Sequence, residues 1–430
     1  MIETATLLRK SKVAAYPAEY FKHLIKKLAW NCRRADVGSY GINLRCRNFT
    51  ASLLAAFFGI ALATAPALAR DPSLSGSRCL ESALRTLLQN APAGGTVRPL
   101  EEIKELKIAT YNLLNLQEHV GQYRYGPDGT RYLKDGPKPA EAEKIAAKAR
   151  AIREINPDIL IAQEIEGGVE TLQRFADQEL EGAYKAYLAQ GNDSRGINIG
   201  FLVKKDLPLT VEMESHRNLR WVDPTRADKT PVRLYSRDVP ALILRASEQP
   251  NADRPLLVVL GNHSKSMRDR PGDPRSMILR KAQAKKTAEL ALNYSKRFGD
   301  DVRIVIGGDF NTHVESREMS VLTHRGLSEA FKASKTPVAP ADRVTHTFHP
   351  RDGPRELTQL DAFFVSPSLS KNISRTWVYR YKNAKGKPLP LPRSYDEREL
   401  NPSDHFPLVM ELEFQPIYKR FKAEQARGGE

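Results

Sequence analysis

From Leu106 onward the chain is written as short apolar runs that stop on polar residues. LKIATYN, DILIAQE, INIGFLV, ALILRA, LLVVLGNH, RIVIGGDF, LDAFFVS and LVMELEF are rich in β-branched and aromatic residues, as strands are. Between several of them lie AEAEKIAAKARAIREI, VETLQRFADQEL and ILRKAQAKKTAELALNYSKRF, whose apolar residues recur at helical spacing. Strands interleaved with helices predict an α/β domain of many strands. No repeat of fixed period and no low-complexity tract competes with that reading.

The polar residues that close these runs are of a restricted kind. KIATYN ends on Asn112, DILIAQE on Glu164 and LLVVLGNH on His263. RIVIGGDFN ends on Asp309 and Asn311, TQLDAFFV carries Asp361, and NPSDHFPLVMEL sets Asp404 and His405 just before the last strand. In α/β folds ligand sites gather at strand ends. A single Asn or Glu after a strand is ordinarily a cap or turn residue, but a set of this size in one domain asks for chemistry. Asn and carboxylate oxygens are hard ligands that suit magnesium or manganese. A divalent ion can neutralise phosphoryl charge, and histidine can move protons near neutral pH. A carboxylate beside a histidine fixes its tautomer and favours its charged form. The chain has no GxSxG elbow and no GxxxxGK[ST] loop, which argues against a serine hydrolase of that type and against a P-loop enzyme.

The formal net charge of the 430 residues is +16, which favours polyanionic partners. The first 69 residues hold ten Lys/Arg against three Asp/Glu, a net of +7, leaving +9 on the rest. Within them Arg45 and Arg47 precede the uncharged stretch TASLLAAFFGIALATA, residues 50–65, and Ala67-Leu68-Ala69 follows. A basic region, a short apolar run and an A-x-A end predict a secretory signal peptide cut after Ala69, hence a periplasmic or secreted protein. The run is shorter than the ~20 residues of a membrane span. Residues 1–44 do not fit a signal peptide and form an N-terminal extension in this reading. The cysteines, Cys32, Cys46 and Cys79, have no metal-site spacing. Only Cys79 survives removal of the leader, so no internal disulfide is expected.

Residues 70–105 read as a linker with a short helix, 106–416 as the catalytic domain and 417–430 as a basic tail. Two long polar segments interrupt the domain, Glu212 to Val239 and Tyr379 to Leu400. Loops of that length are commonly functional. The second, YRYKNAKGKPLPLPRSYDEREL, sets Lys and Arg beside Tyr, as a nucleic-acid contact would.

Taken in order, ATYNLLNL, PDILIAQEIE, NDSRGINIGFLV, LGNHSKS, IGGDFNTH, LDAFFVS and PSDHFPLVMEL resemble the endonuclease/exonuclease/phosphatase superfamily over roughly residues 106–414. NHSKS, QEIE and DSRGINIGFL are closest to its bacterial extracellular nuclease branch. The resemblance implies a four-layer α/β/β/α sandwich of two packed mixed sheets. It implies a phosphodiesterase that uses Mg2+ or Mn2+, with Ca2+ a further candidate, on nucleic acid. Glu164 becomes the principal metal ligand, with Asn112 beside it and Asp404 supporting that or a second metal site. Asp309 and Asn311 position the attacking water and the phosphate. His405, oriented by Asp361, serves as general base or phosphate ligand. His263 becomes the second catalytic histidine, with Asp193 as its partner, while Arg195 and Lys265 bind phosphate. Ser264 stands where a larger apolar residue is usual, and the Glu212–Val239 segment has no recognised counterpart. Two other readings share these residues: a phosphodiesterase or phosphatase for lipid or inositol phosphates, and an inactive binding module. A lipid enzyme would show exposed aromatics, for which Trp221 and Trp377 are the residues to inspect. After loss of the leader no stable membrane association is expected, and no obligate protein partner is evident.

Overall fold

Twelve strands of the computed structural model form two six-stranded sheets; the model describes residues 97–117, 123–125, 131–133, 139–350, 354–383 and 385–427. The signal peptide and residues 70–96 of the linker predicted above lie outside the described residues. The first sheet contains β1 (Glu105–Leu116), β2 (Ile159–Glu166), β3 (Tyr184–Leu188) and β4 (Ile197–Lys204). The second contains β5 (Leu209–Glu214), β6 (Ala241–Ala246), β7 (Leu257–His263), β8 (Ile304–Asp309), β9 (Ser328–Glu329) and β10 (Asp361–Val365). The chain then returns to the first sheet with β11 (Ile373–Val378) and β12 (Leu408–Glu413). The spatial orders are β11-β12-β1-β2-β4-β3 and β9-β10-β8-β7-β6-β5.

Both sheets are mixed, and each has a single parallel pair, β1 with β2 and β7 with β8. All other ladders within them are antiparallel. The sheets pack face to face: Ile108, Ile161, Phe201 and Met410 from the first share one buried cluster with Leu242, Val259, Val305 and Phe363 from the second. Gly261 and Gly307 mark close approaches, because a Cβ would come 2.7 Å from Ile199 at the first and 2.6 Å from Ile161 at the second, both on the opposite sheet. Outside the first sheet lie α1 (Pro139–Ile155) and α2 (Val169–Glu179), which bury Ile152, Ile155, Leu172 and Phe175. Outside the second lies α3 (Met277–Phe298), which buries Ala284, Ala288, Ala291 and Tyr294. The Asp273 carboxylate caps α3 by accepting from the amides of Ile278 and Leu279, at 2.7 and 3.1 Å. The layering is therefore α/β/β/α, as expected.

Two boundaries and one internal segment differ from the sequence reading. Residues 97–105 belong to the domain: Leu100 and Ile103 are buried between the sheets, and Arg98 pairs with Asp158 and Asp206. The stretch read as a basic tail is mostly α4 (Phe414–Arg427). Its Phe414, Ile417, Tyr418 and Phe421 recur at helical spacing and are buried, so its charge is one face of an amphipathic helix. Phe421 is fully buried. Phe421→Ala should therefore cost about 3–5 kcal/mol in urea unfolding; a loss under ~1 kcal/mol would show that α4 is not part of the core. Third, the Glu212–Val239 segment, read as a long polar interruption of the domain, carries structure of its own. It forms a small hairpin, Arg220–Val222 with Pro231–Arg233, and then buries Leu234, Tyr235 and Val239 on the second sheet. In the other long segment Tyr379 and Tyr381 are buried and Lys382 pairs with Glu154 at 2.6 Å. Trp221 and Trp377 both pack against core clusters.

Candidate active site

The two parallel pairs explain why distant residues meet. Parallel neighbours end side by side, so β1 and β2 bring Asn112 next to Gln163 and Glu164, while β7 and β8 bring His263 opposite Asp309. Antiparallel neighbours begin where these end. Asp361, first in β10, is therefore in register with Asp309. Asp404 and His405 likewise enter β12, the antiparallel neighbour of β1. Ser403 clamps that entry, donating from Oγ to the Asn112 carbonyl at 2.8 Å and accepting from the His405 amide at 3.1 Å.

Two backbone irregularities aim the side chains. The β2–β4 register slips between Gln163 and Ile165, and Glu164 has φ +61°, left-handed for a non-glycine residue. Such bulges re-aim a side chain and carry a strain of roughly 1–3 kcal/mol. Here the bulge lets Glu164 Oε2 accept from the Asn115 amide at 3.2 Å and Oε1 lie 3.4 Å from Asn112 Nδ2. Before Asp309, Gly308 has φ +148°, and a Cβ there would fall 1.9 Å from the Asn262 carbonyl oxygen, so only glycine is admitted.

Asp309 is the hub. Its Oδ2 accepts from Asn112 Nδ2 at 3.2 Å and Asn311 Nδ2 at 2.9 Å, and its Oδ1 from the Asn311 amide at 2.7 Å. Both histidines face the same Oδ2, His263 Nε2 at 3.5 Å and His405 Nε2 at 3.8 Å. His263 Nε2 is also 3.8 Å from Glu164. His405 Nδ1 meets Asp361 Oδ2 at 2.7 Å, and Asp361 is held by its amide donating to Thr345 Oγ1.

Their electrostatics divide the two histidines. Burial pulls His405 down, but the Asp361 and Asp309 carboxylates outweigh it and push the imidazolium up to about 10. His263 goes the other way, well below the usual histidine value, through burial and then the charges of Arg237 and His405. At neutral pH one ring is a cation and the other neutral. Burial raises Asp309 to about 7, against the pull of His405 and with Asp361 adding repulsion. Burial also opposes ionisation of Asp404, yet His346, His405 and Arg398 hold its carboxyl well below the ordinary range.

The donor set fits a hard divalent cation. Among the described residues, Asp309, Asp361 and His405 form one group of close potential ligands, and His346, Asp404 and His405 another. Glu164 and Asp309 lie against the same imidazole, which is held neutral, and Asp361 Oδ1 and Asp404 Oδ1 are buried without a hydrogen-bond partner. A bound cation would compensate such crowded negative charge and orphaned oxygen.

Asn112, Glu164, His263, Asp309, Asn311, Asp361 and His405 are thus joined by direct contacts. Asp404 adjoins through His405, but the partners of its carboxylate are Arg398 at 3.0 Å and His346 at 3.8 Å. Asp193 does not pair with His263, whose Nδ1 has no hydrogen-bond partner. Two arginines have claimed it, Arg195 at 3.1 Å and Arg237 at 3.2 Å. Lys265 is fixed through its backbone amide, which donates to Gln283 Oε1. Arg237, His346 and Arg398 escaped the sequence reading, because they sit in polar segments without periodicity. His346 stacks at an angle on His405, with ring centroids 4.6 Å apart.

A model of the endonuclease/exonuclease/phosphatase family matches residues 109–405. No curated protein matches. Among solved structures, TDP2 from Caenorhabditis elegans is similar at 16% identity over 88% of this chain and 96% of that one, with a TM-score of 0.47. A mannosyl-6-phosphatase from Bacteroides thetaiotaomicron is similar at 18% identity over 71% and 99%, with a TM-score of 0.45.

Proposed function

Because this chain belongs to the endonuclease/exonuclease/phosphatase family, we propose that it is a divalent-metal-dependent phosphodiesterase that cuts nucleic-acid backbones, akin to bacterial extracellular nucleases. Members of the family are phosphoesterase hydrolases. The observation that carries the proposal is the convergence of His263, Asn112 and His405 on one Asp309 oxygen, with Glu164 beside it. The basic charge supports a polyanionic substrate.

In this reading Asp309, raised towards neutrality and fixed by Asn311, accepts the proton of the attacking water. His405, kept protonated by Asp361, donates from Nε2 to a non-bridging phosphate oxygen, so it acts as a phosphate ligand. Neutral His263 faces the other side of the phosphate, where it orients the leaving-group oxygen. Glu164, with Asn112, would hold a Mg2+ or Mn2+ ion, which when bound neutralises phosphoryl charge as a Lewis acid.

Plasmid DNA, single-stranded DNA, RNA and a sphingomyelin analogue, each with and without EDTA, test the proposal. Nucleic acid should be cut, EDTA should abolish cutting, and magnesium or manganese should restore it. Hydrolysis of the lipid analogue with every nucleic acid left intact would overturn it. We also propose a periplasmic or secreted location, supported by the residue 50–65 run and Ala67-Leu68-Ala69. Mass spectrometry of exported protein should then find a chain starting near Arg70, and an intact Met1 would refute the cleavage.

A further inference from the structure

The hairpin of Arg220–Val222 with Pro231–Arg233 has two unlike faces. Trp221 and Val232 pair across it and are half-buried, with Trp221 packed on the same cluster as Tyr235 and Val239. Strand alternation then turns Arg220, Val222, Pro231 and Arg233 outward, and all four are exposed. Arg220 and Arg233 stand directly opposite each other in the ladder. Like charges in that position destabilise a hairpin. Arg220 donates from Nη1 to the Pro231 carbonyl at 2.8 Å, but neither arginine makes an ion pair among the described residues. Arg217, just before the hairpin, likewise donates to a carbonyl, that of Gln190 at 3.2 Å.

The hairpin is braced at both ends. At its base Asn192 Nδ2 donates to the Arg217 carbonyl at 2.6 Å. In its turn the buried Asp223 accepts from Thr225, from the amide at 3.0 Å and Oγ1 at 2.7 Å, and pairs with Arg270. Arg270 also pairs with Asp273 at 3.2 Å, and a Cβ on the neighbouring Gly272 would come 3.2 Å from Thr225. Arg270 belongs to the loop that follows His263, so the hairpin flanks the site on the side of that histidine. Segments 216–233 and 266–276 together hold eight Lys/Arg and four Asp, a net of +4 out of the +9 carried by residues 70–430. All four Asp are engaged: Asp223 and Asp273 by Arg270, Asp228 by Arg226 at 2.6 Å, and Asp269 by the Arg275 amide at 2.7 Å. A hairpin kept only to cover the core would need Trp221 and would be more stable without two arginines face to face. A polyanion lying over the outward face removes their repulsion. The one aromatic of the hairpin, Trp221, packs inward, which favours a nucleic-acid backbone over a membrane as the partner.

We infer that this hairpin is a docking arm for the sugar-phosphate backbone of a polymeric nucleic acid, which Arg220 and Arg233 grip outside the catalytic group, on the His263 side. The inference rests on the nuclease reading and adds that the enzyme is built for long strands rather than short oligonucleotides. Fluorescence anisotropy of a labelled DNA duplex of about 40 base pairs, with the full-length protein in EDTA, reads binding without cutting. In the double variant Arg220→Gln/Arg233→Gln the slope of log affinity against log salt should become shallower by about 1 to 2, and affinity at moderate salt should weaken about tenfold. In magnesium, kcat/KM should fall likewise on the duplex and stay within about twofold on a thymidine dinucleotide, which offers one diester and no flanking backbone. The urea midpoint should hold or rise, because repulsion across the ladder is relieved. The same binding loss with a lowered midpoint would mark a packing defect and overturn the arm. So would a wild type that does not bind the duplex, an unchanged salt slope, or an equal loss on both substrates. Loss of binding to phosphatidylglycerol vesicles in the variant, with duplex binding intact, would assign the face to a membrane and overturn it too. If the wild type binds the duplex and the variant flattens the slope, yet no nucleic acid is cut in magnesium, the arm stands and the nuclease reading falls.

Discussion

Glu164→Gln should lower kcat in magnesium by about a thousandfold while leaving the fold intact. A neutral amide is a poor ligand for a hard cation, and the several kcal/mol of charge neutralisation at stake convert at about 1.4 kcal/mol per decade. The substitution is close to isosteric, and Gln can occupy the same left-handed backbone at φ +61°. Removing one negative charge from beside Asp309 also relieves repulsion, since Glu164 is among the groups that push the Asp309 carboxyl up. Urea unfolding of the metal-free variant should therefore show equal or slightly greater stability, whereas magnesium binding by calorimetry should weaken. Turnover near wild type would remove Glu164 from the metal site.

Asp361→Asn should be nearly as damaging, with about 10²–10⁴ lost from kcat, because it takes away the charge that keeps His405 an imidazolium. NMR of the His405 ring separates this from a packing defect. In the wild type the ring should titrate near 10, and in the variant its titration should fall steeply. Stability should follow. A histidine raised in the folded state contributes stability that is fully present below its unfolded value of about 6.5 and is lost as pH rises through about 10. The deficit of Asp361→Asn should accordingly be largest at and below about pH 6.5 and shrink towards pH 10. A deficit that grows with pH would mean that Asp361 does not act through His405.

The layered fold was legible because strand and helix periodicities differ and the runs were clean. The site was half legible. Asn112, His263 and Asp309 are marked by the stop of an apolar run, and that signal is local. Glu164 was found by the same rule, but β2 continues past it to Glu166; no pattern announces a bulge, which arises from pairing with β1 and β4. Arg237 was invisible, being one arginine in an arginine-rich stretch whose burial depends on Gly191 and Asn192 from another loop. The expected pairing of Asp193 with His263 failed for a physical reason. A carboxylate takes the strongest cations within reach, and two guanidinium groups outbid a buried neutral imidazole. The last helix hides behind the charge of its exposed face, although Phe414, Ile417, Tyr418 and Phe421 carry the helical spacing.

The single parallel pair in each sheet has a consequence in time. Neither pair can form a hydrolytic centre alone, since Asn112 and Glu164 belong to one sheet and His263 and Asp309 to the other. His405 reaches them only after the chain returns to the first sheet through β12, nearly three hundred residues beyond Asn112. Contacts so distant along the chain form late in folding. A nascent or threaded polypeptide therefore lacks part of this cluster until β12 has joined the first sheet.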